Sequence, residues 1–492
     1  METRPKKFPL RLIAVVLILI AALITVLLLR TLTIKRPHFS SFPETHISLD
    51  SLGLAQRLSR AITFKTVSYQ DLSKIDINAF LEFHQWLKVA YPRVHAKLKR
   101  QTLDRSLLYE WTGSDPSRPP LIFLAHIDVV PVLDEKDIRW KYPPFSGTIA
   151  DGFVWGRGAI DDKDSLLGLL EATEGLLKNN FQPSRTLYFA FGQDEEVGGV
   201  EGAKKIADRL QQRHVKPEAV FDEGGYIVQK MIAGIESPVA LIGIAEKGYA
   251  TLELKITTQP GHSMAPPDKT AIGMLSEAIV RLETHPFPKK IRGATYDMLQ
   301  WLAPAMPLGS RLAIANLWLL EPWVIPLLAK NPASRASLQT TTAATVFHAG
   351  EKDNVLPAEA KATVNFRILP GETVASVLAH VQKLTADLPI EIKPTFESRN
   401  PSSISSPRTK IFETMAGLTV QKYPGTVVAP YLFIGGSDSQ HFSSFNCNIY
   451  RYLPVHFQPS DLARVHGTDE RIGIADYNRA VQFLVELIKN TQ

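Results

Sequence analysis

An uncharged apolar run opens the chain. Residues 12–29 carry one polar side chain, Thr25, and 18 residues in a helix approach the length that crosses a bilayer. Residues 37–49, with Pro37, Ser40, Ser41 and Pro43, read as a linker. Helical and strand patterns then alternate. Ile77, Phe80, Leu81, Trp86 and Leu87 recur at helical spacing over 77–91. Residues 121–124 form a short apolar strand ahead of a histidine, 164–178 a helix, 186–191 a strand, 201–213 a helix and 219–221 the end of a strand. This strand–helix rhythm predicts an α/β fold: a mostly parallel sheet covered by helices.

The rhythm changes near residue 245. Residues 251–256 alternate like a half-exposed strand, 271–283 read as a helix, 362–368 as a strand, 372–386 as a helix and 390–392 as a strand. That order predicts a smaller inserted α/β domain with an antiparallel sheet. After the turn-rich joint at 402–407 the sheet rhythm returns, and a helix over 475–489 ends the chain. The expected organisation is therefore 1–36, an N-terminal anchor; 37–49, the linker; 50–244, a first catalytic part; 245–397, the insert; and 398–492, the second catalytic part. Within the insert, 295–328 is dense in apolar residues, among them Trp301, Leu317, Trp318, Leu319 and Trp323. It reads either as helical core of the insert or as a greasy surface for an acyl chain, a partner subunit or the membrane.

The chain has 492 residues, more than one ordinary core accommodates, with 45% hydrophobic and 21% charged residues, as in globular proteins. Cys447 is the single cysteine, so an internal disulfide and thiol metal clusters are both excluded. The net charge of +6 is local. Arg4, Lys6, Lys7, Arg11, Arg30, Lys35 and Arg36 face only Glu2 within residues 1–36, and the rest of the chain is balanced. A general grip on nucleic acid is therefore not expected. Four basic residues before the apolar run favour a single-pass membrane protein with a cytoplasmic N-terminus and an exported body. The alternative is a cleaved signal peptide.

Five segments concentrate acids and imidazoles. His126 and Asp128 follow an apolar strand, and ligands gather at such strand ends. Their spacing points both side chains the same way on an extended chain, and a carboxylate beside a histidine can fix its tautomer as a metal ligand. Asp161 and Asp162 lie in a Gly-rich turn before a helix; Asp194, Glu195 and Glu196 follow a strand; Asp222 and Glu223 follow another; and His466 stands near the end. Singly these fit a buried histidine, a helix cap, a solvated charge run, a turn and a surface histidine. Jointly they make a thiol-free set of histidines and carboxylates, suited to catalytic zinc or another divalent ion. Two histidines with three or four carboxylates match two metals sharing a bridging acid.

With these segments in order, the chain resembles the co-catalytic zinc exopeptidases and amidohydrolases that include carboxypeptidase S, aminoacylase 1 and succinyl-diaminopimelate desuccinylase. The likeness spans about residues 50–490. It runs furthest toward carboxypeptidase S and the N-fatty-acyl-amino-acid synthase/hydrolases, through Gly261-His262-Ser263-Met264-Ala265-Pro266-Pro267, Ala315-Asn316-Leu317-Trp318-Leu319, Asn354-Val355-Leu356-Pro357, Val364-Asn365-Phe366-Arg367 and Gly435-Gly436-Ser437-Asp438-Ser439. The resemblance implies two Zn2+ per chain on His126, Asp161, Glu196, Asp222 and His466, with Asp161 bridging and a cis peptide before Asp162. It implies that Asp128 orients His126, that Glu195 is the general base, and that His262 reaches a partner's site in a homodimer formed through the insert. Arg367 and Asn354 are implied to bind the substrate carboxylate, with Gly435 and Gly436 lining that end. Asp164 departs from the family's common glycine. The implied activity is zinc-dependent hydrolysis of the amide in N-acyl amino acids, long-chain ones among them, with the reverse reaction open to the same site. The rival readings are a carboxypeptidase S-like peptidase or dipeptidase acting on small peptides, and a binding protein without catalysis.

Overall fold

The computed structural model describes residues 10–43, 47, 49–132, 139–395 and 398–492. Of the segments read above, Glu2, Arg4, Lys6 and Lys7, linker residues 44–46 and 48, and the end of the insert at 396–397 lie outside the described residues. Helix α1 (Leu10–Thr33) covers the opening apolar run. It is long and apolar enough to cross a membrane, features that a signal sequence shares.

The body begins with α2 (Ser51–Ile62), capped by Asp50, whose carboxylate accepts from Gly53 N. Strands β1 (Lys99–Leu103), β2 (Ser106–Trp111), β3 (Leu121–His126), β4 (Leu187–Gly192), β5 (Ala219–Asp222), β6 (Ile227–Val228) and β7 (Val239–Glu246) follow, with α3 (Lys163–Lys178) and α4 (Ala203–Gln212) between them. Every residue of β2, β3, β4 and β5 is buried, as expected of strands covered on both faces.

The chain then passes through Lys247 into β8 (Gly248–Thr257), the short β9 (Gly261–His262) and α5 (Ala271–Thr284). A helical excursion follows: α6 (Gly293–Leu302), α7 (Leu308–Ala315) and α8 (Leu317–Leu328). Strands β10 (Thr341–Ala349), β11 (Val355–Leu356) and β12 (Glu359–Ile368), helix α9 (Val374–Leu384) and β13 (Ile390–Pro394) complete the insert. The body resumes with β14 (Val427–Phe433), β15 (Asn448–Arg451) and β16 (His456–Phe457), and ends in α10 (Ile474–Asn490).

Among the described residues the body sheet has ten strands, in the order β1-β2-β4-β3-β5-β15-β7-β6-β16, with β14 beside β7. It is a mixed sheet with a parallel majority, so the mostly parallel expectation holds in part. β3 pairs in parallel with β4 and β5, β15 with β5, β14 with β7 and β16 with β6, whereas β15 meets β7 antiparallel. β1 and β2 are joined by the two-residue turn Asp104-Arg105, with Asp104 at φ 55°, and such a short link forces an antiparallel pair.

The insert carries its own antiparallel sheet, β10-β12-β8-β13, and its own core, in which Leu252, Leu254 and Ile256 meet Leu275, Val364, Phe366 and Val381. Residues 293–336 contribute nothing to that core, so the stretch 295–328 is not the heart of the insert. It forms a separate cluster that includes Leu299, Ile314, Leu317 and Val324 and takes in Ile34, just beyond α1. It also leans on the body, where Trp301 packs edge-on against Phe412 at 5.4 Å.

Candidate active site

The carboxyl ends of β3, β4 and β5 lie side by side, and each strand delivers acids or imidazole at that edge. β3 ends in His126, which is 1% exposed. Its Nδ1 lies 2.9 Å from the carbonyl oxygen of Asp128. A carbonyl can only accept, so Nδ1 carries a proton, and Nε2 is the nitrogen turned toward the cluster. It faces two carboxylate oxygens, Asp161 Oδ1 at 2.9 Å and Glu223 Oε1 at 3.4 Å. Acceptors that converge in this way are reconciled by a cation among them.

The second half of the cluster mirrors the first. His466 Nε2 lies 3.0 Å from Asp161 Oδ2 and 3.0 Å from Glu196 Oε2. Asp161 thus turns one oxygen to each histidine, the posture of a bridging carboxylate. Carboxylate oxygens of Glu195 and Glu223 and a ring nitrogen of His126 also lie within 4.8 Å of one another. Glu196 Oε1 is buried with no hydrogen-bond partner among the described residues. The donor set fits two divalent ions.

Electrostatics agree. Burial, then the Asp161 carboxylate, pushes Glu196 up to about 7 and Glu223 up to about 8. Burial likewise raises Glu195 well above the ordinary range. Hydrogen bonds to Asp161 and Glu196 lift His466 to about 10. Acids at this density ionise together when a cation neutralises them.

The supports are local. Asp128 is fully buried, and its two oxygens accept from Glu195 N at 3.1 Å and Glu196 N at 3.2 Å. It therefore ties His126 to both glutamates. The Asp161–Asp162 peptide is cis, and Asp162 Oδ2 accepts from His126 N at 3.2 Å. Glu470 accepts from Ile160 N at 3.0 Å and from Asp161 N at 3.3 Å, and pairs with Arg157. Arg157 in turn donates to His466 O at 3.0 Å and Gly467 O at 2.9 Å. A buried charge deprived of its partner costs about 3–5 kcal/mol, so this pair fixes the carriers of Asp161 and His466. Asp164 is buried, and its Oδ1 accepts from Ser165 N.

The structure therefore brings His126, Asp128, Asp161, Glu195, Glu196 and His466 together. It does not bring in Asp222. That residue is the last of β5, in register with Arg451 of β15, and its Oδ2 accepts from Ser439 N at 2.7 Å. Its neighbour Glu223 takes the place at the cluster. The signal was present in the adjacent pair Asp222-Glu223, where strand geometry sends successive side chains to opposite sides.

The remaining sequence-derived candidates sit apart from the cluster. His262 is exposed on β9, and its Nδ1 accepts from Met264 N at 3.1 Å. Asn354 is exposed beside it, its carbonyl accepting from Ser263 N at 3.2 Å. Arg367, on β12, stacks over the Tyr249 ring at 4.9 Å. Arg399, which the sequence reading missed, lies over the same ring at 5.5 Å. Burial and the facing Arg399 charge lower the Arg367 pKa, while Glu195 works in the opposite direction. Gly435 rests against the Phe433 ring. Gly436 lies so close to Arg399 that a Cβ there would meet Nη2 at 2.5 Å. The two guanidiniums and the glycine loop thus form one cationic end.

Comparison with known proteins accords with this arrangement. The chain is 39% identical to the probable carboxypeptidase S-like 2 of Dictyostelium discoideum, over 96% of this chain and 93% of that one. It is 36% identical to the human N-fatty-acyl-amino acid synthase/hydrolase PM20D1, over 92% of this chain and 90% of that one. Its fold superposes on the M20 family metallo-carboxypeptidase Sso-CP2 of Sulfolobus solfataricus with a TM-score of 0.66 at 19% identity, covering 90% of this chain and 99% of that one. Residues 122–490 match the peptidase family M20/M25/M40. The chain belongs to peptidase family M20/M25/M40 and is a metal-dependent hydrolase.

Proposed function

We propose that this chain hydrolyses the amide bond of N-acyl amino acids, including long-chain ones, at a site holding two Zn2+. The observation that carries the reading is Asp161 with one oxygen on each histidine. His126, Glu223 and Asp161 would hold one ion, and His466, Glu196 and Asp161 the other. When bound, such a pair polarises the scissile carbonyl and lowers the pKa of a shared water. Glu195 accepts a proton from the attacking water and returns it to the amine as the carbon–nitrogen bond breaks. Asp128 keeps His126 in its binding tautomer. Arg367, with Asn354 and the loop at Gly435 and Gly436, is assigned to the substrate carboxylate, for which a guanidinium fork is suited. Reversal of the same steps makes the amide.

The test is a panel of N-oleoyl and N-acetyl amino acids and dipeptides, assayed with zinc and with chelator. Zinc-dependent release of oleate is the expected result. The carboxypeptidase S-like relative favours a second reading, cleavage of small peptides at the C-terminal residue. Turnover of dipeptides with none of N-oleoyl amino acids would decide for it.

The insert, 245–397, is read as a lid and dimerisation domain. Its edge strand β10 exposes Val346 and Phe347, a face suited to a second copy. His262 is then assigned to the partner's oxyanion. Mixing His262→Ala chains with Glu195→Gln chains is expected to restore part of the activity, because one hybrid site regains both groups. Verified mixed dimers that stay inactive would remove His262 from that role. Helix α1 is read as a retained single-pass anchor, with a cytoplasmic N-terminus and the body exported.

A further inference from the structure

Helix α8 carries its exposed residues on one side. Trp318, Pro322, Trp323, Pro326 and Leu327 are all exposed, with Trp318 at 58%, Trp323 at 65% and Leu327 at 64%. Their spacings of four and five residues make one continuous stripe. Every member is apolar, and two are tryptophans. The helix's single acid, Glu321, is half-buried at the edge of the stripe and accepts from Ile291 N at 2.9 Å. Leu317 and Val324, on the opposite side, are buried. A soluble surface seldom leaves such a stripe uncovered.

The helix is also joined to α1. Asn316, at the α7–α8 corner, donates from Nδ2 to Leu27 O at 3.2 Å and to Thr31 Oγ1 at 3.3 Å. Arg30 Nε donates to Ala315 O at 3.1 Å. Leu27 and Arg30 stand where the uncharged run ends. A helix rises about 1.5 Å per residue, so the run of residues 12–29 nearly fills a hydrocarbon core of about 30 Å. If α1 spans a bilayer, Leu27 lies at its edge and Arg30 in the headgroups. The bonds from the corner then hold Trp318, two residues beyond Asn316, at the same depth. Tryptophan favours that level because its ring is apolar and its N–H is polar. Lys289, Lys290 and Arg292 outnumber Glu321 along the groove beside Pro322 and Ile325, and a net basic rim suits acidic headgroups.

We propose that the exposed face of α8 lies in the headgroup–acyl boundary of a bilayer containing acidic lipids, as a second, monotopic contact beside α1. The proposal rests on the reading of α1 as a retained span. It makes the helical excursion of the insert, together with the anchor, the membrane-facing side of the enzyme. A convex helix face suits a planar partner such as a bilayer, whereas an acyl tail needs enclosure.

The test uses the full chain in nanodiscs of phosphatidylcholine and phosphatidylserine, with bromine placed near the headgroup end of the acyl chains. Seven tryptophans are present, and the five other than Trp318 and Trp323 are buried or half-buried, four in the body and Trp301 where α6 packs against it. The expected result is partial quenching, limited to the share that two of seven contribute. It should disappear in Trp318→Phe/Trp323→Phe, with turnover of an N-acetyl substrate unchanged. Unquenched emission from chains that remain in the disc overturns the proposal. If that result comes with a doubled mass, a second copy covers the face instead. The anchor reading fails separately, when the mature N-terminus lies beyond residue 30. The same quenching measured on vesicles with that mature chain then decides the fate of the α8 face.

Discussion

Replacing Glu195 by glutamine is expected to lower kcat by about 10²–10⁴-fold, the usual contribution of a positioned base, while the protein keeps its full metal content. The two adjacent glutamates divide the work. Glu196 Oε2 touches His466 at 3.0 Å and shares that imidazole with Asp161, as a ligand would. Glu195 lies across the cluster, near His126 and Glu223, and its backbone is held by Asp128. Glutamine matches glutamate in shape but cannot take a proton, so packing is retained and proton transfer is lost. Metal analysis of the purified variant beside single-turnover kinetics checks both halves. A Glu195→Gln enzyme of near-normal rate would end the assignment. His126→Ala serves as the contrast: it removes a nitrogen that faces two carboxylates and should lose metal and activity together.

Much of this architecture can be read along the chain. β3 and β4 are continuous apolar runs that end in His126 and, two residues past Gly192, in Asp194, so strand and site announce each other. The helices over 164–178, 271–283 and 475–489 correspond to Lys163–Lys178, Ala271–Thr284 and Ile474–Asn490; one-sided burial imposes helical spacing on the apolar residues of the second, whereas the first is buried all round from Lys163 to Thr173. The edge strand Thr341–Ala349 escaped. Its middle is exposed, so no burial pattern marks it, and pairing with Glu359–Ile368 is what makes it a strand. The apolar stretch 295–328 is legible as helical core of the insert or as a greasy surface, but not by destination. Its apolar faces look alike whether they cover the insert or the body, and Trp301 against Phe412 decides it only in three dimensions. Arg399 gave no signal for a related reason. It sits in a polar joint, and its meaning comes from sharing the Tyr249 ring with Arg367, 32 residues away in sequence.

The sharpest separation between sequence and structure is at Asp222 and Glu223, and it sets the second large expected effect. Glu223→Gln should bring metal content from about two ions per chain toward one and abolish most turnover, because its carboxylate joins His126 and Asp161 at one half of the cluster. Asp222→Asn should retain both ions and lose about 10–100-fold in rate, the usual effect of a supporting contact beside a metal site. Asp222 accepts from Ser439 N, which an asparagine oxygen can also do. The reason lies in the strand end. Asp222 closes β5 in register with Arg451 and is committed to the loop that carries Ser437 and Ser439, whereas Glu223 has left the ladder just before Gly224, whose φ is 106°. Its extra methylene extends its reach to the imidazole. Metal titration of the two purified variants, monitored by calorimetry, compares them directly. Loss of metal from Asp222→Asn with retention in Glu223→Gln would reverse the ligand assignment and restore the order expected from sequence.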